Sequence, residues 1–282
     1  MRINMKYILL LVASLLFACA SMSYADFNNA LSNYNKGNYK TAFEEFSHLA
    51  DQGSDIAQYN VGVMYQDGLG VIKNDKKAAD WYKKAAEKGF AKAQYNLGKL
   101  YEENGDGVVK DYKRAVYWYR KAADQEFAKA QTNLGVMYEN GLGVIKNYKQ
   151  AVYWYKKAAE KGYFLAQYNL GVAYRNAKGV LKNDKKSADW YKKSADQGYA
   201  NAQYNLGVMY DKGIGVLLDK KKAVYWYKKA EVQGVNGNNK YDLSSIYKAG
   251  IIKGTGALLW IVFILLITLI YQFVRKKKIK GK

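Results

Sequence analysis

"AQYNLG" occupies residues 93–98, again 166–171 and again 202–207, with the near copies "AQYNVG" at 57–62 and "AQTNLG" at 130–135. Gly62, Gly98, Gly135, Gly171 and Gly207 follow one another at intervals of 36, 37, 36 and 36 residues, and Trp81, Trp118, Trp154, Trp190 and Trp226 at 37, 36, 36 and 36. Five registered copies of a unit near 36 residues mark an array. Each unit is too small to bury its own apolar face and stacks on its neighbours instead. In a chain of 282 residues, that period sets the organisation more firmly than length does.

Working outward from residues 93–98, Phe90, Ala93, Leu97, Gly98 and Tyr101 fall at i, i+3, i+7, i+8 and i+11, and Ala78, Trp81, Tyr82, Ala85 and Ala86 at i, i+3, i+4, i+7 and i+8. Each unit is therefore read as two amphipathic helices, and the chain as all-α. Seven residues before each tryptophan stands Asn74, Asp111, Asn147, Asn183 or Asp219. The short oxygen-bearing side chain of such a residue caps orphan backbone N–H groups, which places the start of the second helix there.

The two helices are separated by Gly68-Leu-Gly70-Val71, Gly105-Asp-Gly107-Val108, Gly141-Leu-Gly143-Val144 and Gly213-Ile-Gly215-Val216. Glycine accepts the positive φ of a helix end, and the valine is placed to fill the space beneath the turn. With no strand before it and no Lys-Ser/Thr after it, Gly-x-Gly here is not a phosphate loop. The fourth copy reads Asn176-Ala-Lys-Gly179-Val180, so its turn is expected to differ. One extra residue before Gly105 accounts for the 37-residue interval. The recurrent mid-helix glycine costs ~1 kcal/mol against alanine. Its retention points to a bulky Trp or Tyr of the neighbouring helix packed close against it.

The ends read differently from the array. Residues 1–25 carry Arg2 and Lys6, an apolar run over 7–18 and Ser23-Tyr24-Ala25, the pattern of a secretory signal peptide with the mature chain starting at Asp26. Lipoprotein processing at Cys19 is the alternative. That cysteine is the only one in the chain, so an exported form has no disulfide and depends on packing. Residues 257–274 are 18 uncharged, mostly apolar residues followed by six cations and no acid in 275–282. At ~1.5 Å per residue they reach ~27 Å, and the flanking charge fits the positive-inside rule. The expected topology is an ectodomain outside the cytoplasm, a short Gly-containing hinge at 251–256, one transmembrane helix at 257–274 and a basic cytoplasmic tail at 275–282.

The chain carries a formal charge of +21, of which about +13 stays with the ectodomain once the ends are set aside. A basic surface suits an acidic partner or anionic lipid, and export argues against nucleic acid. Many of the lysines also fall in "WYKKA", on positions that a helix turns to water.

The stretch "AKAQYNLGKLYEENGDGVVKDYKRAVYWYRKAADQEF" and its sister units resemble the Sel1-like repeat family, kin to tetratricopeptide repeats, over roughly 54–250. Ala, Leu-Gly, Tyr, Gly-x-Gly-Val, the Asn or Asp cap, Trp-Tyr and Ala-Ala all occur in register. Residues 26–53, with Ala30, Leu31, Tyr34, Gly37, Tyr39, Ala42, Phe46 and Ala50, look more like a tetratricopeptide hairpin capping the array. At the far end Tyr241, Leu243, Tyr247 and Gly250 continue the register as a half-repeat cap.

The resemblance implies a right-handed α-solenoid of such helix hairpins, with the first helices lining a concave face, acting as a scaffold or adaptor for a protein or peptide partner. It also implies a role for the asparagine before Leu-Gly, which in tetratricopeptide relatives can face the groove and hold a peptide backbone. The matching positions are Asn60, Asn96, Asn133, Asn169 and Asn205, with Tyr59, Tyr95, Tyr168 and Tyr204 beside them and Thr132 interrupting the row. An amide offers both donor and acceptor, so such a row clamps an extended chain with little regard to its side chains. The same residues also admit a purely internal role, asparagine bracing a turn and tyrosine packing.

No catalytic residues, metal or cofactor are implied. His48, with Glu44 one turn earlier, is the only histidine, which leaves no second histidine or cysteine for a metal site or nucleophile pair. Cysteine-rich bacterial members of the resembled family, linked to β-lactams, staple each hairpin with a disulfide. Ala86 and Gln94 occupy those places here, so their activity is not carried over. A cell-envelope hydrolase or β-lactam-binding protein of the same fold is the alternative from another class. The expected location is a bacterial inner membrane with a periplasmic domain. An endoplasmic-reticulum degradation adaptor is the other placement, disfavoured by the absence of any Asn-x-Ser/Thr acceptor.

Overall fold

A computed structural model describes residues 25–235, and all regular structure among them is helical. The expected signal peptide, Cys19, the half-repeat cap, the hinge, the transmembrane helix and the tail lie outside the described residues. Among the described residues no helix is long and apolar enough to cross a membrane.

The described chain divides into two units, 25–197 and 198–235. The first holds α1 (25–35), α2 (Tyr39–Asp51), α3 (Asp55–Asp67), α4 (Asp75–Glu87), α5 (Ala91–Glu103), α6 (Tyr112–Asp124), α7 (Ala128–Asn140), α8 (Tyr148–Glu160), α9 (Phe164–Asn176) and α10 (Asp184–Asp196). The second holds α11 (Ala200–Lys212) and α12 (Lys220–Glu231). Within α2 to α10 each helix packs on the next, and in the second unit α11 packs on α12.

The second helices start where the sequence places them. Asn74, Asp111, Asn147, Asn183 and Asp219 each accept a bond from the backbone N–H three residues on, at 2.8 to 3.1 Å. The backbone N–H of the same residue closes the preceding loop by donating to the carbonyl of Tyr65, Tyr101, Tyr138, Tyr174 or Tyr210 at 2.8 to 3.0 Å. One residue per repeat thus ends the loop and begins the helix. The first helices from α5 on have no side-chain cap; Phe90, Phe127, Tyr163 or Tyr199 stands there instead.

Each letter of the repeated hexapeptide has a structural assignment. Ala57, Ala93, Ala130 and Ala166 are fully buried, as are Leu97 and Leu134. The glutamine, which the sequence reading passes over, is buried too. Gln58, Gln94, Gln131 and Gln167 donate to the carbonyls of Ala50, Ala86, Ala123 and Ala159 at 3.0 to 3.2 Å, a second bond to oxygens that also accept the backbone N–H of Gly53, Gly89, Glu126 and Gly162 at the end of the helix before. Gln94 and Ala86, where the cysteine-rich proteins would be stapled, are therefore joined by a hydrogen bond. The Oε1 of Gln94 and of Gln167 in turn accepts from Gln125 and Gln197, both at 2.8 Å. At the equivalent places Lys88 and Lys161 reach the carbonyls of Gly53 and Glu126.

Mid-helix glycine makes room for tyrosine specifically. A methyl on Gly98 would lie 2.8 Å from the ring of the fully buried Tyr119, and one on Gly171 2.7 Å from that of Tyr191. The tryptophan reaches further back: Trp81, Trp118 and Trp154 pack in apolar clusters that combine the first helix of their own repeat with the second helix of the hairpin before it. "Trp-Tyr" thus divides its labour, tyrosine closing its own hairpin and tryptophan joining it to the one before. In the first unit this gives a continuous interior, as a stack of hairpins requires.

The fourth loop departs from its expectation. Ala177 adopts the left-handed conformation (φ 56°) that Gly68 and Gly141 adopt in their loops, and caps α9 in the same way. The turn is thus kept in spite of the missing glycine, because Gly179 retains the space that matters: a Cβ there, as on Gly70 and Gly143, would overlap the backbone carbonyl of a neighbouring helix start. Left-handed backbone costs an L-residue ~1–2 kcal/mol. Ala177→Gly is expected to raise stability by about 1 kcal/mol, read as a higher denaturant midpoint; an unchanged or lower midpoint would contradict the strain.

Candidate functional site

The asparagines lie on successive first helices of the first unit, Asn60 on α3, Asn96 on α5, Asn133 on α7 and Asn169 on α9; Asn205 lies on α11 of the second unit. All five are half-buried, as are Tyr59, Tyr95, Tyr168 and Tyr204, whereas Thr132 is fully buried and bonds the carbonyl of Ala128 at 2.9 Å.

The tyrosines rest on aromatic neighbours. Tyr59 meets Tyr82 at 5.8 Å between centroids and Phe90 at 5.2 Å; Tyr95 meets Tyr119 at 5.7 Å and Phe127 at 5.4 Å. Tyr168 meets Tyr191 at 5.7 Å, and in the second unit Tyr204 meets Tyr227 at 5.5 Å. Each first-helix tyrosine is therefore held by a second-helix tyrosine of its own repeat. Tilted and edge contacts of this kind fix ring position as well as burying area.

Asn96 and Asn133 reach the phenols of the repeat before their own. Burial lifts Tyr59 and Tyr82 above the ordinary phenol range, and hydrogen bonding to Asn96 pulls both back in part. Burial pushes Tyr95 up to about 12, helped by the fields of Tyr163, Glu102 and Glu103 and opposed by a hydrogen bond to Asn133. Asn96 and Asn133 thus sit at junctions between repeats, each beside two phenols, with part of the residue open to solvent.

The sequence reading placed a second-helix aromatic against the glycine but missed the acceptors of the tyrosine hydroxyls. Tyr82 donates to Gln66 at 2.7 Å, Tyr119 to Glu102 at 2.5 Å and Tyr155 to Glu139 at 2.8 Å; Lys178 of the next repeat pairs with Glu139 at 2.7 Å. A signal existed in the first three repeats, where the tyrosine after the tryptophan has Gln66, Glu102 or Glu139 16 or 17 residues earlier, but it spans a loop and no short-range pattern exposes it. His48 is exposed on α2, its Nε2 3.0 Å from the Gln52 amide. Among the described residues no group of three or more His, Cys, Asp or Glu side chains is placed to hold a metal ion.

The Sel1 repeat profile matches residues 55–90, 91–127, 128–163, 165–199 and 200–234, one helix pair each. The chain is similar to a Sel1 repeat protein from Oxalobacter formigenes, with 39% identity over 74% of this chain and 83% of that one and a TM-score of 0.69. It is also similar to c5321, a protective antigen in uropathogenic Escherichia coli strains with an SLR fold, at 34% identity and a TM-score of 0.77. That match covers 90% of this chain and 53% of the other, so the chain spans about half of that protein's length. Helix pairs, loop glycines, caps and buried tyrosines therefore have one common source: the chain belongs to the Sel1 repeat family.

Proposed function

We propose that this chain is a membrane-anchored, extracytoplasmic scaffold that holds a peptide or protein partner along the first helices of its first unit. The Sel1 repeat fold is commonly a protein–protein interaction scaffold. The observation that carries the finer reading is the row of half-buried amides, one per repeat, braced by tyrosine pairs on rigid helices. Pre-set side chains lose little freedom when a ligand arrives, so part of the ordering cost of binding is met by the fold itself. Asn96 and Asn133 keep acceptor and donor capacity beyond the bonds they make to phenols. Anchoring and export rest on the signal-like and apolar termini, and an excess of about +13 on the exported part favours an acidic partner.

The test is capture of partners by the full-length chain from its own membranes, comparing wild type with the triple variant Asn96→Ala, Asn133→Ala, Asn169→Ala. A specific partner is expected to be retained by wild type and lost by the variant, whose circular dichroism should stay helical. Equal capture by both would remove the amide row from the account. A reporter fused behind Lys282 is expected to be active on the cytoplasmic side; activity outside would overturn the topology.

A further inference from the structure

The amide row leaves unexplained a feature at the other end of each hairpin. In the first unit Ile72, Val109, Ile145 and Leu181 are 89, 83, 91 and 90% exposed. Each occupies the same place, directly after the valine that turns inward beneath the loop. Because consecutive hairpins pack in register, the four side chains fall on one edge of the unit. In the second unit Leu217, 90% exposed, holds the equivalent place in its own loop. A single exposed aliphatic is ordinary, but one presented by every repeat at nearly full exposure is an unpartnered apolar edge.

Charge decides what would cover it. The four aliphatics are followed by Lys73, Lys110, Lys146 and Lys182, all exposed. Over 68–77, 104–114, 141–150 and 177–186 there are twelve cations against four acids, Asp75, Asp106, Asp111 and Asp184. Two of those acids are partly engaged, Asp111 by Arg114 at 3.3 Å and Asp184 by Lys182 at 3.7 Å. Protein interfaces are depleted in lysine and favour aromatic and arginine anchors at their centre. A lysine beside an aliphatic residue suits the boundary between lipid headgroups and acyl chains, where the aliphatic enters and the ammonium stays with phosphate.

We propose that the loop edge of the first unit docks on the surface of an anionic phospholipid bilayer through these four aliphatic residues and the lysines that follow them. The proposal does not rest on the amide row. A label on the edge also reports independently of whether 257–274 anchors the chain.

The test uses the full-length chain in a Cys19→Ser background with vesicles of phosphatidylglycerol mixed into phosphatidylcholine, or of phosphatidylcholine alone. A polarity-sensitive fluorophore is attached at Ile145→Cys and, as a control on the outer side of α8, at Lys156→Cys. With anionic vesicles the label at 145 is expected to shift to the blue and to be quenched several-fold more by lipid-borne spin labels than the label at 156. Without phosphatidylglycerol, or at 1 M salt, where charge attraction is screened beyond ~3 Å, the difference should shrink. Adding Ile72→Asp, Val109→Asp and Leu181→Asp should abolish it. A label at 145 that stays in water on anionic vesicles would overturn the proposal. So would an edge found buried between two copies of this chain, with the aspartate variant turning a dimer into monomer, or equal quenching in both lipids.

Discussion

Replacing Gly135 by alanine is expected to lower stability by ~1–2 kcal/mol, and replacing it by valine by ~3 kcal/mol or more. Two effects oppose each other at this site. Helix propensity favours alanine over glycine by ~1 kcal/mol, so a solvent-facing glycine would be improved by the change. Here, however, the new Cβ would stand 2.5 Å from the ring of Tyr155 and 3.2 Å from the carbonyl of Ala151. Tyr155 is almost fully buried and tied through its hydroxyl to Glu139 at 2.8 Å, so the ring has little freedom to withdraw. Packing therefore outweighs propensity. Urea unfolding of the three chains gives the order wild type, alanine, valine if this is right. Gly135→Ala as stable as wild type would mean that α7 and α8 approach less closely than described. Because repeat arrays unfold in pieces, the loss should appear first in probes near α7 and α8.

The second large effect is alkaline. Burial lifts the phenols of Tyr82, Tyr119 and Tyr155 far above their ordinary value of 10.0, and the carboxylates of Glu102 and Glu139 raise the last two further. Their folded pKa values are raised, so the stability linked to them is complete below pH 10 and declines as pH climbs toward the folded values. Above pH 10 the unfolded chain sheds these protons and the folded chain keeps them. Each tyrosine then removes ~1.4 kcal/mol of stability per pH unit, ~4 kcal/mol for the three together. Unfolding midpoints measured between pH 9 and pH 11.5 should be flat at first and then fall steeply. Tyr119→Phe should reduce the slope by ~1.4 kcal/mol per pH unit while lowering stability at pH 8 through loss of its bond to Glu102. An undiminished slope in that variant would show that other groups govern the alkaline transition.

Much of the architecture was legible because its signals are local. Asn147 caps α8 where the count from Trp154 places it, and an interval of 36 or 37 residues separates equivalent residues throughout the array. Helical periodicity gave the apolar positions 93, 97 and 98 correctly. The fourth loop was misjudged because glycine was taken as necessary at position 177. Backbone geometry there is imposed by the flanking helices, and alanine bears the strain. The candidate site was legible only as a row of identities. That Asn96 and Asn133 stand beside tyrosines of the preceding repeat, and that Gln94 serves a buried carbonyl, follows from contacts between repeats.

The sequence by itself determined the period, the two helices in each repeat, the caps and the glycines, since propensity, capping and turn preference act over a few residues and are written in order along the chain. Only the tertiary structure decided which residue fills the notch at each mid-helix glycine, which polar side chains are spent on neighbouring repeats, and which aliphatics remain in water. Those outcomes depend on which surfaces meet when hairpins stack, and Tyr82, Gln94 and Ile72 acquire their roles only from neighbours that the linear order does not name.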